Sequence, residues 1–178
     1  KLLRQSGLRI APVVERILAS NIFYSPFSVG RKVRSPVELG IGLLRCLHGS
    51  SNLDQLAQLL ADIGQAVFYP PNVKGWDGGR TWINTSTLIG RSNLVGELLR
   101  NDATRFEGQS LESLARKNGV SSPDKLIDWL NELLLAIPLD DPAKNELLAF
   151  AEQTTGNLSR RMAELIQTLS TVPQFHLS

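Results

Sequence analysis

The chain has 178 residues, of which 42% are hydrophobic and 20% are charged, a composition typical of a globular protein with one core. No apolar run approaches the ~20 residues of a membrane-spanning helix, so no membrane span is predicted. The net charge of +2 is uneven, with 13 Lys and Arg against 7 Asp and Glu in residues 1–105, but no basic helix or groove-reading motif accompanies this excess, and nucleic-acid binding is not predicted.

The start of the chain and its single cysteine add two expectations. The first residue is Lys and no signal-peptide pattern follows it, so we expect an excised portion of a longer protein. Cys46 is the only cysteine, which excludes an internal disulfide and a Cys-based zinc site. One helical domain over residues 1–178 is expected, with a possible subdivision at the polar connector of residues 101–110.

The first predicted helix covers residues 12–21. Pro12 suits the first helical position, and four apolar residues recur with the spacing of a core-facing face. These residues are Val13, Val14, Ile17 and Leu18. We therefore expect this face to pack into the core.

Three more helices are predicted before residue 101 from their start signals. Ser35 can cap a helix, Pro36 fits its first position, and Glu38 can complete a capping box. Asn52 and Asn84 are further capping residues. The three helices are expected at about 36–48, 53–63 and 85–100.

Four helices are predicted in the remaining chain. They begin after Ser110, at Ser122-Pro123, at Asp141-Pro142 and after Asn157. Gly156 is expected at the C′ position of the third of them. Because no alternating strand pattern of useful length occurs, the sequence predicts an all-α fold, an irregular bundle of about eight helices.

A long irregular segment, residues 66–83, separates two of these helices. It holds four of the chain's eleven aromatic residues, a Pro-Pro pair and three glycines. Loops of this length within a domain are usually functional or disordered, and disordered segments are poor in aromatic residues. We therefore expect an ordered loop with a role, anchored to the helices by at least one of Trp76 and Trp82.

Arg91 lies on the apolar arc of the helix that follows the loop. A charged residue on such a face has to be paired or has to reach water with its end group. We expect Arg91 to donate to backbone carbonyls of the preceding loop or to Asp77. Binding of a substrate carboxylate is the alternative.

No known catalytic arrangement is present in the sequence. Phosphate-binding loops, dinucleotide fingerprints, zinc-protease motifs and nucleophile elbows are all missing. With two His and one Cys far apart, we predict no metal site, no cofactor and no catalytic residue. Whether the chain belongs to an enzyme stays undecided at this level.

The residue types of the loop suit binding. Trp and Tyr rings beside Lys74 and Arg80 could stack on sugars and recognise anionic groups, and the same residue types dominate protein interfaces. A third possibility is a folded loop whose aromatic residues plug the bundle. The candidate binding residues are Tyr69, Asn72, Lys74, Trp76, Asp77, Arg80, Trp82 and Arg91.

The loop also carries a family resemblance. Pro70-Pro-Asn-Val-Lys-Gly-Trp76, followed by Gly78-Gly-Arg-Thr-Trp-Ile-Asn-Thr-Ser-Thr-Leu88, resembles the signature of a bacterial family known as domain of unknown function 1800. Ser35-Pro-Val-Glu-Leu39 and Pro173-Gln-Phe175 are similar to two further parts of that family. The resemblance implies that the chain is the C-terminal fragment of a longer, mostly helical protein, which is exported, located outside the cytoplasm and encoded beside a sulfatase-like family. It implies no established activity, cofactor or catalytic residue.

Two functions follow as hypotheses. The first is a binding or scaffold segment of an exported bacterial protein, with residues 68–84 as the dock for an anionic glycan or a protein partner. The alternative is part of a hydrolase-like or accessory enzyme acting on anionic, sulfated polysaccharide, with Asp77, Arg80 and Arg91 lining one site. Convergence of these three side chains on one open pocket would favour the enzyme.

Overall fold

All 178 residues are described in a computed structural model, which contains nine α-helices and one small antiparallel ribbon. The first five helices are α1 Leu2–Gln5, α2 Ala11–Leu18, α3 Pro36–Cys46, α4 Leu53–Asp62 and α5 Thr85–Arg100. The others are α6 Leu111–Lys117, α7 Pro123–Leu134, α8 Asp141–Gln153 and α9 Leu158–Leu169. Strands β1 Gly49–Ser50 and β2 Arg105–Phe106 form the ribbon, and 3₁₀ turns occupy Gly79–Trp82 and Pro173–His176. The predicted all-α class is confirmed.

The helices begin at the predicted capping residues. Ser35 Oγ accepts from the Glu38 N–H at 3.2 Å, and Glu38 Oε2 accepts from the Ser35 N–H at 2.8 Å, which completes the capping box of α3. Asn84 Oδ1 accepts from the Thr87 N–H at 2.9 Å in the same way at α5. All eight predicted helices are present, and the four-residue α1 is an additional one. Helix α8 ends earlier than predicted, so Gly156 lies beyond its C′ position.

The core is built mainly from α3, α4, α5, α6, α7 and α9, with α5 packed along α9. One cluster of 27 buried apolar residues runs through these helices, and its members lie both before and after the connector at 101–110. Two glycines of α5 allow close helix contact. A Cβ atom added at Gly90 would lie 2.6 Å from Ile63 Cγ2, and one at Gly96 would lie 2.5 Å from Gln167 Cδ. No helix has both the length and the apolar content needed to cross a lipid bilayer.

The N-terminal segment, residues 1–29, contributes no buried residue. The apolar stripe of α2 was predicted to face the core, and this prediction is wrong. Val14, Ile17 and Leu18 are between 45% and 52% exposed. The periodicity correctly predicts an amphipathic helix, but it carries no information about which surface covers the apolar face.

The ribbon joins the connector between α5 and α6 to the core. Gly49 pairs with Phe106 in the antiparallel register, and the Phe106 side chain is buried in the core cluster. Strands of two residues are too short to produce an alternating pattern, which is why the sequence did not predict them.

The C-terminal tail pairs with the segment that precedes α3. The Lys32 and Ser178 backbones exchange two hydrogen bonds of 3.2 Å and 2.9 Å, and Val33 faces Leu177 between them. Phe175 is fully buried in the core. The tail is therefore held by backbone pairing and by one aromatic anchor.

Gly90→Ala tests the packing of α5 against the end of α4, and Gly42→Ala, in α3, is its control. Gly42→Ala should raise the free energy of unfolding by about 0.5–1 kcal/mol, because nothing lies within 4 Å of the added Cβ and Ala is the better helix former. Gly90→Ala should lower it by about 1 kcal/mol, because the added Cβ meets Ile63 in a packed core. Urea unfolding of both variants measures the difference. A stabilised Gly90→Ala would show that α4 and α5 are less closely packed.

Candidate functional site

The candidate loop, residues 66–83, is held at both ends. At its start, the Val37 N–H donates to Gln65 Oε1 at 2.9 Å, which joins the end of α4 to the first turn of α3. At its end, Trp82 is buried, and its carbonyl accepts from Thr87 Oγ1 at 3.0 Å. The prediction that a tryptophan anchors the loop is confirmed for Trp82. Trp76 is half-buried.

The outer part of the loop exposes apolar side chains. Phe68 is 90% exposed and Tyr69 is 80% exposed, and Val73 is also fully open to solvent. The backbone of Phe68 is left-handed, with φ of 69°. A bulky residue in this region is an outlier, since its Cβ crowds the neighbouring carbonyl.

The polar candidates lie at the surface of the same loop. Lys74 Nζ pairs with Asp77 Oδ1 at 3.0 Å, and the Lys74 N–H donates to Asn72 Oδ1 at 2.8 Å. Arg80 is exposed and forms no ion pair. None of the four principal cavities of the protein is lined by a residue of the loop. The loop therefore presents a projecting surface of mixed apolar and charged groups.

Arg91 is fully buried, and its hydrogen bond goes to the segment before α3 and not to the loop. Its Nη2 donates to the Arg34 carbonyl at 2.7 Å, so it is bonded to a backbone carbonyl as expected. The prediction that the acceptor would be a loop carbonyl or Asp77 is wrong. Asp77, Arg80 and Arg91 do not converge on one open pocket. The position of Arg91 on the apolar arc predicted its burial, but not which neighbouring segment it meets.

A buried cationic centre forms around Arg91, Arg34 and His176. The Arg34 N–H donates to the His176 carbonyl at 2.8 Å, and Arg34 Nη2 donates to the Leu134 carbonyl at 3.0 Å. The Arg34 guanidinium lies 6.0 Å from the centre of the Phe175 ring. Neither guanidinium forms an ion pair.

Several buried polar atoms of this centre have no hydrogen-bond partner within the protein. Arg91 Nε and Nη1 and both ring nitrogens of His176 are buried without a hydrogen bond. Burial lowers the pKa of Arg91 to about 10. Burial, together with the charges of Arg91 and Arg34, lowers the pKa of His176 to about 4. His176 is therefore neutral at pH 7, and the nearby charges of Arg91 and Arg34 disfavour its protonation.

This centre was not predicted from the sequence. Arg34 and Arg91 are 57 residues apart, so no local spacing connects them. No three His, Cys, Asp or Glu side chains lie together in a way that could hold a metal ion.

Comparison with known proteins adds a family. A family model described as "Protein of unknown function (DUF1800)" matches residues 1–177. The chain belongs to the DUF1800 family. The match agrees with the resemblance seen around residues 70–88, and it extends over almost the whole DUF1800 chain. No curated protein and no solved structure matches it.

The buried histidine makes stability depend on pH. In the unfolded chain His176 titrates near its ordinary pKa of 6.5, whereas its folded pKa is about 4. Between these values the unfolded state binds more protons, so the free energy of unfolding should fall as the pH drops from about 6.5 to about 4, by at most about 3 kcal/mol. His176→Gln should remove this component, as measured by urea unfolding across the range.

His48 provides the control. It is exposed and has a left-handed φ of 49°, which Asn tolerates. His48→Asn also removes an imidazole but leaves the centre of Arg91, Arg34 and His176 intact, so the component assigned to His176 should remain. The carboxylates that also titrate in this range are common to all three proteins. Equal slopes for His176→Gln and the wild type would contradict a neutral, buried His176.

Proposed function

We propose that the chain is a binding segment and that the outer part of the 66–83 loop docks onto a protein partner. The observation that carries the proposal is Phe68, whose backbone is strained and whose ring is 90% exposed. A left-handed conformation costs a non-glycine residue roughly 1–2 kcal/mol. Strain of this kind clusters at functional sites, where a side chain has to be held in a fixed position.

The anchoring of the loop supports the same proposal. Trp82 and the Gln65 side chain fix the two ends of the loop to α5 and α3. A loop that is already ordered loses less conformational entropy on binding than a flexible one. The exposed rings of Phe68 and Tyr69 are therefore presented with little further cost of ordering.

The surface chemistry indicates the kind of partner. Phe68, Tyr69 and Val73 project from the loop, and Lys74 and Arg80 lie near them in the chain. Large aromatic and Arg side chains are typical centres of protein interfaces, where they enter apolar recesses on the partner. We infer a partner with an apolar recess bordered by acidic groups.

Recognition of an anionic glycan has less support from this geometry. A sugar-binding site needs a concave surface, and the loop lines none of the principal cavities. The enzyme hypothesis relied on Asp77, Arg80 and Arg91 lining one site, but Asp77 and Arg80 are exposed on the loop while Arg91 is buried against the Arg34 carbonyl. Export and a bacterial source remain part of the proposal and rest on the family resemblance alone.

Phe68→Asn should raise the free energy of unfolding and weaken partner binding, so the two effects can be told apart. Asn adopts the left-handed region more easily, so the variant should be more stable than the wild type by about 1 kcal/mol in urea unfolding. The partner itself can be captured by a photo-crosslinking amino acid placed at Tyr69 in the native host and identified by mass spectrometry. The purified partner should bind Phe68→Asn at least about tenfold more weakly than the wild type.

Leu53 supplies the matched control. It is also exposed and apolar, but it lies at the start of α4, about 15 Å along that helix from the loop, and its φ is not positive. Leu53→Asn should not raise stability and should leave partner binding unchanged. Equal affinity of the purified partner for the wild type and Phe68→Asn would overturn the proposal. A crosslink between two copies of this chain would identify the partner as a second copy.

A further inference from the structure

A cavity of about 530 Å³ lies between α6, α7, α8 and α9. Small-molecule sites typically have volumes of roughly 300–1,000 Å³. The cavity lies on elements that carry none of the candidate loop residues, so what it binds is independent of the proposed docking loop.

Core residues form the apolar wall of the cavity. The five apolar lining residues are Val120, Leu126, Ala151, Leu158 and Leu165. All except Leu158 are buried members of the core cluster, and Leu158 packs against it. A wall made from packed core side chains is largely preformed, and it suits an apolar body rather than a fully polar one.

The charged lining groups are all cationic. Arg116 and Arg161 line the cavity, and no Asp or Glu does. Arg116 Nε and Nη2 both donate to Glu112 Oε1, and Glu112 does not line the cavity. Arg161 Nη2 donates to the Ala151 carbonyl at 3.1 Å, its Nε is buried without an acceptor, and no ion pair includes it. Two guanidinium groups beside an apolar wall favour a carboxylate or another planar anion.

We propose that this cavity binds a small organic anion with an apolar body, such as an aliphatic carboxylate. The apolar body lies against Leu126 and Leu165, and the anionic head lies between Arg161 and Arg116. The Ser121 hydroxyl, which also lines the cavity and makes no hydrogen bond within the protein, is a further donor for the head group.

Three probes test the proposal with the wild-type protein. Octanoate has both an anionic head and an apolar chain, octanamide has the chain without the charge, and acetate has the charge without the chain. Octanoate should bind with a Kd on the order of 1 mM or below, octanamide at least about tenfold more weakly, and acetate not measurably. Isothermal titration gives the affinities, and ¹H–¹⁵N shift mapping gives the location.

Adjacent arginines provide a matched pair of variants. Arg161→Met removes the charge at the cavity and keeps an apolar side chain, and it should weaken octanoate binding at least about tenfold. Arg160→Met is the control, because Arg160 pairs with Glu164 and does not line the cavity. Arg116→Met, at an exposed position, should also weaken binding and serves if Arg161→Met does not fold.

The outcomes are distinct. Shifts at Val120, Ser121 and Leu158 with octanoate, weakened by Arg161→Met but not by Arg160→Met, would support the site. Equal binding of octanoate and octanamide, no binding of octanoate, or shifts confined to the 66–83 loop or to residues 1–29 would each overturn it. None of these results bears on whether Phe68 contacts a protein partner.

Discussion

The hydrogen bond from the buried Arg91 guanidinium to the Arg34 carbonyl connects parts of the fold that are distant in sequence. A guanidinium without solvent exposure is unfavourable unless its donors are satisfied. Through Arg34, the bond extends to the C-terminal tail by the His176 carbonyl and to the end of α7 by the Leu134 carbonyl. The start of α3, the middle of α5, the end of α7 and the tail therefore meet at one polar point inside an apolar bundle.

The parts of the fold that are determined locally could be predicted from the sequence. Helix starts depend on side-chain to backbone bonds within three or four residues, which is why Ser35 and Asn84 were correctly identified. The anchoring of the loop by at least one tryptophan and the bond from Arg91 to a backbone carbonyl also followed from residue type and position. The segment that Arg91 meets and the cavity between four helices could not be predicted, because both depend on tertiary packing. The exposure of α2 was missed for a related reason: amphipathicity predicts an apolar face but not the surface that covers it.

Two surfaces of the protein have opposite physical character. The 66–83 loop projects into solvent, with Phe68 in a strained backbone conformation, and it offers aromatic rings to a partner. The cavity between α6 and α9 is recessed, with an apolar wall and two guanidinium groups. Helix α5 directly follows the loop and packs along α9, which lines the cavity, so the same packed helix pair supports both surfaces. Such support is what gives a binding surface a defined shape before its ligand arrives.

The N-terminal segment sets a limit on how the chain can be shortened. Residues 1–29 bury nothing, whereas Lys32 to Arg34 pair with the tail and accept the Arg91 bond. A protease that cuts after Arg9 or Arg16 would release a helix whose loss leaves the core intact. A cut after Arg34 would remove the segment that pairs with the tail and leave the Arg91 guanidinium without its acceptor. The boundary between residues that the core does not need and residues that it does need therefore lies within residues 30–34.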